Sequence, residues 1–173
     1  MSRKYLNDRW CVRCGRKSPC PYLVRNIGIL NREAVKDKLV LDCGCGNGRN
    51  SIYLQSLGFK DVRSLDMAGD FGVKCVLGKD KLPARSRSSG LILCDYVFMF
   101  LDEKERGFLC GEIDRVASDG CFLVVELYPA KDSYFKDEKN ILDFQEKLYN
   151  KLNKTHWFKV KYSKQKFILE KKI

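Results

Sequence analysis

A chain of 173 residues is long enough for one domain with a buried core. It is 45% hydrophobic and 32% charged, the composition of a globular protein, and no apolar run approaches the roughly 20 residues of a membrane span. Met1-Ser2-Arg3-Lys4 is not followed by the apolar stretch of a secretory leader, so the expected location is the cytosol, with the nine cysteines mostly reduced.

The net charge of +11 is unevenly spread. Residues 1–38 carry ten Lys/Arg against three Asp/Glu, residues 39–130 eleven against thirteen, and residues 131–173 twelve against six. A neutral middle between basic ends suits a polyanionic partner. The same pattern also serves as plain solubilising charge.

Residues 1–30 show no clear period. They read as an irregular, basic, cysteine-containing extension to a domain spanning residues 31–173. Cys11, Cys14 and Cys20 are its candidate metal ligands. Two thiols so spaced suit one tetrahedral ion, and Gly15 eases the turn. A closed zinc site needs a fourth ligand, for which His156, Asp8 or a distant cysteine is available. Three thiolates also suit an iron–sulfur cluster with one open position, and three unliganded reduced thiols are the plain alternative. With metal, residues 8–22 become a basic knuckle whose Arg9, Trp10, Arg13, Arg16 and Lys17 suit stacking and phosphate contact with RNA.

A short helix is predicted around Asn31–Lys36. Leu39-Val40-Leu41 then suits a buried strand and ends in a glycine-rich turn. A helix follows from Arg49 to Leu57, with Gly58 as its stop. Val62–Leu65 is the second strand, ending at Asp66, and Lys74–Leu77 a weaker third. Gly90–Phe100, with the run Leu91-Ile92-Leu93-Cys94, is the fourth. Asp102 and Glu105 form a capping box for a helix running to about Ala117. Cys121–Leu127 is the fifth strand, entered through Asp119-Gly120. Cys43, Cys75, Cys94 and Cys121 fall in these apolar stretches as small buried side chains. Ile141, Phe144, Leu148 and Leu152 recur at helical spacing. Trp157–Tyr162 and Phe167–Lys171 flank Ser163-Lys164-Gln165-Lys166 as an antiparallel hairpin, its lysines read as a solvated face. Strands alternating with helices imply a mostly parallel sheet covered on both faces, here of seven strands with the closing hairpin antiparallel.

Asp42-Cys43-Gly44-Cys45-Gly46-Asn47-Gly48 follows the first strand and opens a helix. Glycines let the backbone approach a ligand closely, and free N–H groups at a helix start meet polar or anionic groups. Ligands of open α/β sheets sit outside the carboxyl ends of the strands, where Asp66 could accept hydrogen bonds from a ribose. A dinucleotide site wants Gly-x-Gly-x-x-Gly, and Arg49 stands where the third glycine belongs. Asp42 would also repel a pyrophosphate, but not a ligand bearing an ammonium.

Residues 39–49 resemble the first motif of the class I S-adenosylmethionine (SAM)-dependent methyltransferases. Gly78-Lys79-Asp80 with Leu82-Pro83 is similar to their third region, and Ser118-Asp119-Gly120 to the turn before their fifth strand. The resemblance implies a Rossmann-like α/β fold, SAM as cofactor, and methyl transfer as the activity. It implies donor contacts from Asp42, Cys43, Gly44, Cys45, Gly46, Asn47, Gly48, Asn50, Asp66, Met67, Lys79, Asp80 and Cys94. Gly48–Leu54 and Phe98–Lys104 further resemble the tellurite-resistance methyltransferases, which act on chalcogen oxyanions or small thiol-like acceptors.

Methyl transfer from a sulfonium needs positioning and exclusion of water more than it needs a base. Asp95, Tyr96, Glu126 and Tyr128, near the strand ends, are the candidates for catalysis. Cys94-Asp95-Tyr96-Val97 lacks the Asn/Asp-Pro-Pro-Tyr/Phe signature of enzymes that methylate DNA amines. Three functions compete: transfer to a small-molecule acceptor, transfer to RNA or protein held by the basic ends, and a non-catalytic SAM-binding module. Acceptor choice falls to residues 1–30, to the loops after strands four and five, or to a partner subunit.

Overall fold

The computed structural model describes residues 18–68, 71–127, 146–152, 156–163 and 166–173. Helix α1 is Pro21–Leu30, α2 Glu33–Lys36, β1 Leu39–Cys43, α3 Arg49–Ser56, β2 Asp61–Asp66 and β3 Val73–Lys74. There follow β4 Ser89–Asp95, a 3-10 turn at Phe98–Phe100, α4 Glu103–Val116 and β5 Ala117–Glu126. A helix α5 over 146–152 and the hairpin of β6 Trp157–Ser163 and β7 Lys166–Lys171 complete it.

The sheet has seven strands in the order β3-β2-β1-β4-β5-β7-β6. The pairs from β3 through β5 are parallel, and β7 pairs antiparallel with both β5 and β6. The α/β architecture expected from the sequence is therefore present. The chain builds outward from β1 through β2 to β3, then returns to β1's other side to begin β4. That reversal opens a crevice at the carboxyl ends of β1 and β4, immediately beyond the glycine turn.

Strand parity explains why both faces are dry. Leu41, Cys43, Ile92, Cys94, Leu123 and Val125 join a cluster with Leu109, Ile113 and Val116 of α4 and with Leu148 and Leu152 of α5. The alternate residues Val40, Leu91, Leu93, Phe122 and Val124 join Leu23 and Leu30 of α1, Val35 of α2 and Leu54 of α3. Period-2 alternation between two apolar layers reads in sequence as a continuous hydrophobic run. Burial of about ten such side chains per face, at about 2 kcal/mol each, supplies the main stabilising force.

Four expectations need correcting. Residues 21–30 are not irregular: Tyr22, Leu23, Asn26 and Leu30 form the buried face of α1. Pro21 occupies the first turn, where its missing N–H costs nothing. The third strand is only Val73–Lys74: Cys75 N–H makes its last bond to β2, at Asp66 O, and the chain then leaves the sheet. The fourth stops at Asp95: Tyr96 takes φ +59° and its N–H bonds Glu126 O, turning the chain into the 3-10 segment. Two hairpin lysines face inward. Lys171 is buried and donates to Asp114 O and Oδ1, and Lys166 pairs with Glu126.

Other expectations hold. Asp102 and Glu105 close a reciprocal capping box on α4, and Gly58 adopts φ +87° after α3. Cys43, Cys75, Cys94 and Cys121 are free and buried, as are the other described cysteines. Ile141 and Phe144 lie outside the described residues. The two ends of the described chain sit at opposite ends of the strands. Cys20 lies beside the carboxyl end of β5, whereas Ile173 N–H donates to Asp119 Oδ1 near its start. Among the described residues no helix is long and apolar enough to cross a membrane.

Candidate functional site

The glycine turn is held from below by β2. Gly44 and Cys45 N–H both donate to Leu65 O, at 2.7 and 3.1 Å. Gly46 N–H donates to Asp66 Oδ2 at 3.0 Å, and Ala68 N–H reaches Oδ1 at 3.0 Å. Asp66 is only partly buried.

Gly44, Gly46 and Gly48 all have positive φ, which favours glycine. Their surroundings differ. A Cβ on Gly44 would lie 2.6 Å from Val97 Cγ2, and one on Gly48 would lie 2.0 Å from the Phe71 ring. A Cβ on Gly46 would meet nothing within 4 Å. Gly44 and Gly48 thus serve packing inside the protein, and Gly46 is the position with open space beside the Asp66 carboxylate.

Several residues expected to meet a donor are turned inward. Asp42 is buried, and its Oδ2 accepts from Ser51 Oγ at 2.7 Å, which in turn accepts from Ser64 Oγ at 2.7 Å. Burial, only partly offset by the Ser51 bond, pushes its carboxyl up to about 6. Cys43 and Cys94 are fully buried. A hydrogen bond with Cys94, followed by burial, raises the Cys43 thiol. Asn50 accepts from Cys20 N–H at 2.8 Å and donates to Asp95 Oδ2 at 3.3 Å. Asp42, Cys43, Asn50 and Cys94 therefore support the turn with their side chains, and only their backbone could touch a ligand. Asp80 Oδ2 accepts from Val76 N–H at 2.8 Å, and Lys79 pairs with Glu105 at 3.6 Å, so both brace the loop before Leu82. Asn47 and Met67 flank the open space, with Asn47 exposed and its Oδ1 accepting from Arg49 N–H.

A second cluster stands at the carboxyl ends of β4 and β5. Asp95 Oδ2 accepts from Arg49 Nη2 at 2.9 Å, and both side chains are 11% exposed. Glu126, with its side chain 4% exposed, accepts from the Tyr96 hydroxyl at 2.9 Å and from Lys166 on Oε1. Its Oε2 accepts from the Cys20 thiol at 2.7 Å. Burial, then Glu126, raises the Asp95 carboxyl despite Arg49. Burial, then Asp95 and Glu126, pushes the Cys20 thiol up to about 12, and burial with Glu126 raises the Tyr96 hydroxyl.

Sequence reasoning found Asp95, Tyr96 and Glu126 but missed that Arg49, Lys166 and Cys20 hold them. The available signal was Cys20-Pro21, a helix-start pattern that fixes where α1 begins. Cys20 is thereby placed in the interior beside β5. Cys11, Cys14 and Tyr128 lie outside the described residues, and His156 is exposed in the turn before β6.

The model of the tellurite resistance protein TehB family matches residues 29–82, the stretch that carries the glycine turn and Asp66. No curated protein has a matching sequence. Solved structures are similar over most of the chain. A TehB-like SAM-dependent methyltransferase from Corynebacterium glutamicum superposes with TM-score 0.66 at 17% identity, over 98% of this chain and 97% of that one. A SAM-dependent methyltransferase from Aquifex aeolicus gives TM-score 0.58 at 17% identity, over 96% and 94%. TehB from Haemophilus influenzae gives 0.60 at 17%, over 88% of this chain and 62% of that one. The chain has the fold of the class I SAM-dependent methyltransferases.

Proposed function

We propose that the chain is a SAM-dependent methyltransferase whose donor lies across the glycine turn and whose acceptor is a small molecule. The observation that carries the donor reading is the open space at Gly46 beside the Asp66 carboxylate. A ribose can bond that carboxylate, and the glycine backbone can lie against the rest of a nucleoside without a side chain intervening. Asp42 carries a negative charge beneath the same turn above pH 6, which suits a cationic donor and opposes a pyrophosphate.

When bound, the donor supplies a methyl group already activated on a sulfonium. What remains for this chain is to orient the acceptor, exclude water and take up a proton. Glu126 and Asp95 are the carboxylates at that end of the crevice, each held by a cation and a neutral donor. Asp95 and Tyr96 flank the approach.

The small-acceptor reading rests on enclosure. Ser18 O accepts from Arg49, and Cys20 is bonded to Asn50 and Glu126, so residues 18–20 run across the strand ends. The Asp95 and Glu126 side chains are 11% and 4% exposed, which favours an acceptor small enough to be enclosed.

A thermal-shift titration with SAM and its demethylated product tests the donor reading. Both should stabilise the protein, and Asp66→Ala should weaken binding at least about tenfold, the cost of a lost charge-assisted pair of hydrogen bonds. An unchanged shift in that variant would sink the assignment. Labelled-methyl transfer into fractionated small molecules, RNA and protein tests the acceptor reading; label confined to a macromolecular fraction would replace it.

A further inference from the structure

The hydrogen bonds around Cys20, Asp95 and Glu126 fall into two sets. On the outer side, a cation and a neutral donor hold each carboxylate. Arg49 and Asn50 bond Asp95 Oδ2, while Lys166 and the Tyr96 hydroxyl bond Glu126 Oε1. Left on the inner side are Asp95 Oδ1, which is buried without a partner, Glu126 Oε2, which takes the Cys20 proton, and Cys20 Sγ. Sγ and one oxygen of each carboxylate lie within 4.8 Å of one another.

The Tyr22 hydroxyl belongs to the same neighbourhood. It is buried and unpartnered. Among the described residues, three buried side-chain polar atoms have no hydrogen bond, and two of them are here. Such atoms are costly unless something fills the place between them.

We propose that Cys20, Asp95 and Glu126 form a binding site for one thiophilic divalent cation, with Zn2+ the best match. One sulfur and two carboxylate oxygens are ligand types zinc takes, and three protein ligands leave a fourth tetrahedral position open. In such a site the ligand atoms lie about 3.3–3.5 Å apart, so the Cys20–Glu126 pair, now 2.7 Å apart, must open and any wider separation, none above 4.8 Å, must close, shifts of about 1 Å. The outer bonds are the support that ligating carboxylates ordinarily have, fixing each side chain while freeing its second oxygen.

Binding is a proton exchange. The S–H bond of Cys20 breaks, a metal–sulfur bond forms, and the proton leaves to solvent. With Arg49 and Lys166 counted, the loaded cluster carries one positive charge, which suits hydroxide, a thiolate or another anion in the fourth position. This ligand set shares only Cys20 with the knuckle expected from Cys11 and Cys14.

The test uses the full chain, stripped with chelator and without methyl donor, so that failure leaves the donor reading untouched. The probe is Co2+ alone, displaced afterwards by Zn2+. The expected result is one ion per chain, a thiolate-to-cobalt charge-transfer band, and calorimetry in two buffers reading about one proton released per ion. Cys20→Ser should abolish the band. Asp95→Asn should weaken binding at least about tenfold while keeping the thiol and its band. A Cys11→Ser, Cys14→Ser variant should bind as the parent does. Melting curves without metal establish that each variant is folded, and should Cys20→Ser not fold, Asp95→Asn decides the matter. No band, a band that survives in folded Cys20→Ser, undiminished affinity in Asp95→Asn, or loss of binding in the Cys11/Cys14 variant would each overturn the site.

Discussion

The two ends of the crevice are built from different materials. At the glycine turn the working surface is backbone: amides bonded to Leu65 O and Asp66, with open space at Gly46. At the ends of β4 and β5 it is side chains, with Arg49, Lys166, Tyr96 and Cys20 converging on two carboxylates. A backbone surface needs only local sequence to specify it. A side-chain surface needs residues brought together by the whole fold, and it fails when any one of them is changed.

The largest expected effect falls on the side-chain end. Glu126→Gln leaves the Lys166 ammonium without its partner and weakens two further bonds, in a place nearly closed to solvent. Removing one partner of such a pair costs about 3 kcal/mol, or about 8 °C in melting temperature for a chain of this size. A drop under about 2 °C would mean that the network is not a unit.

The pH dependence of Asp42 ranks next. Its folded-state carboxyl sits at about 6, above its ordinary value of 3.8, because burial disfavours its charge. The folded state therefore holds this proton more tightly than the unfolded state. Stability from this group is fully present below about pH 4 and is lost as pH rises through 6, by about 3 kcal/mol. Asp42→Asn should remove that loss, so the gap between variant and parent in urea unfolding should be widest near pH 8 and narrow as pH falls towards 4. A gap independent of pH would show that Asp42 titrates normally.

The smallest effect separates two glycines of the same turn. Gly44→Ala meets Val97 as well as positive φ and should cost about 2 kcal/mol. Gly46→Ala carries only the backbone strain, about 1 kcal/mol, yet should lose more donor affinity. If Gly46→Ala binds the donor normally, the open space is not where the ligand lies.

The same contrast explains what was legible in the sequence. The glycine turn, the Asp102–Glu105 box and the antiparallel hairpin are each written within a few residues, and each appears where expected. Helix α1 was hidden because it is short, Gly28 is a poor helix former and Asn26 is one of its four buried residues. The inward turn of Lys171 depends on Asp114, 57 residues away, and the place of Cys20 on Glu126, 106 residues away. No local pattern announces such pairs. Asp95, Tyr96 and Glu126 could be picked out by lying at strand ends, but their counter-ions could not.

The opposite placement of the chain's two ends has a practical side. Residues 18–20 lie across the carboxyl ends of β4 and β5. Ile173 is anchored at the other end of β5, beside Asp119. A purification handle therefore belongs at the C-terminus, where it leaves both ligands' routes clear.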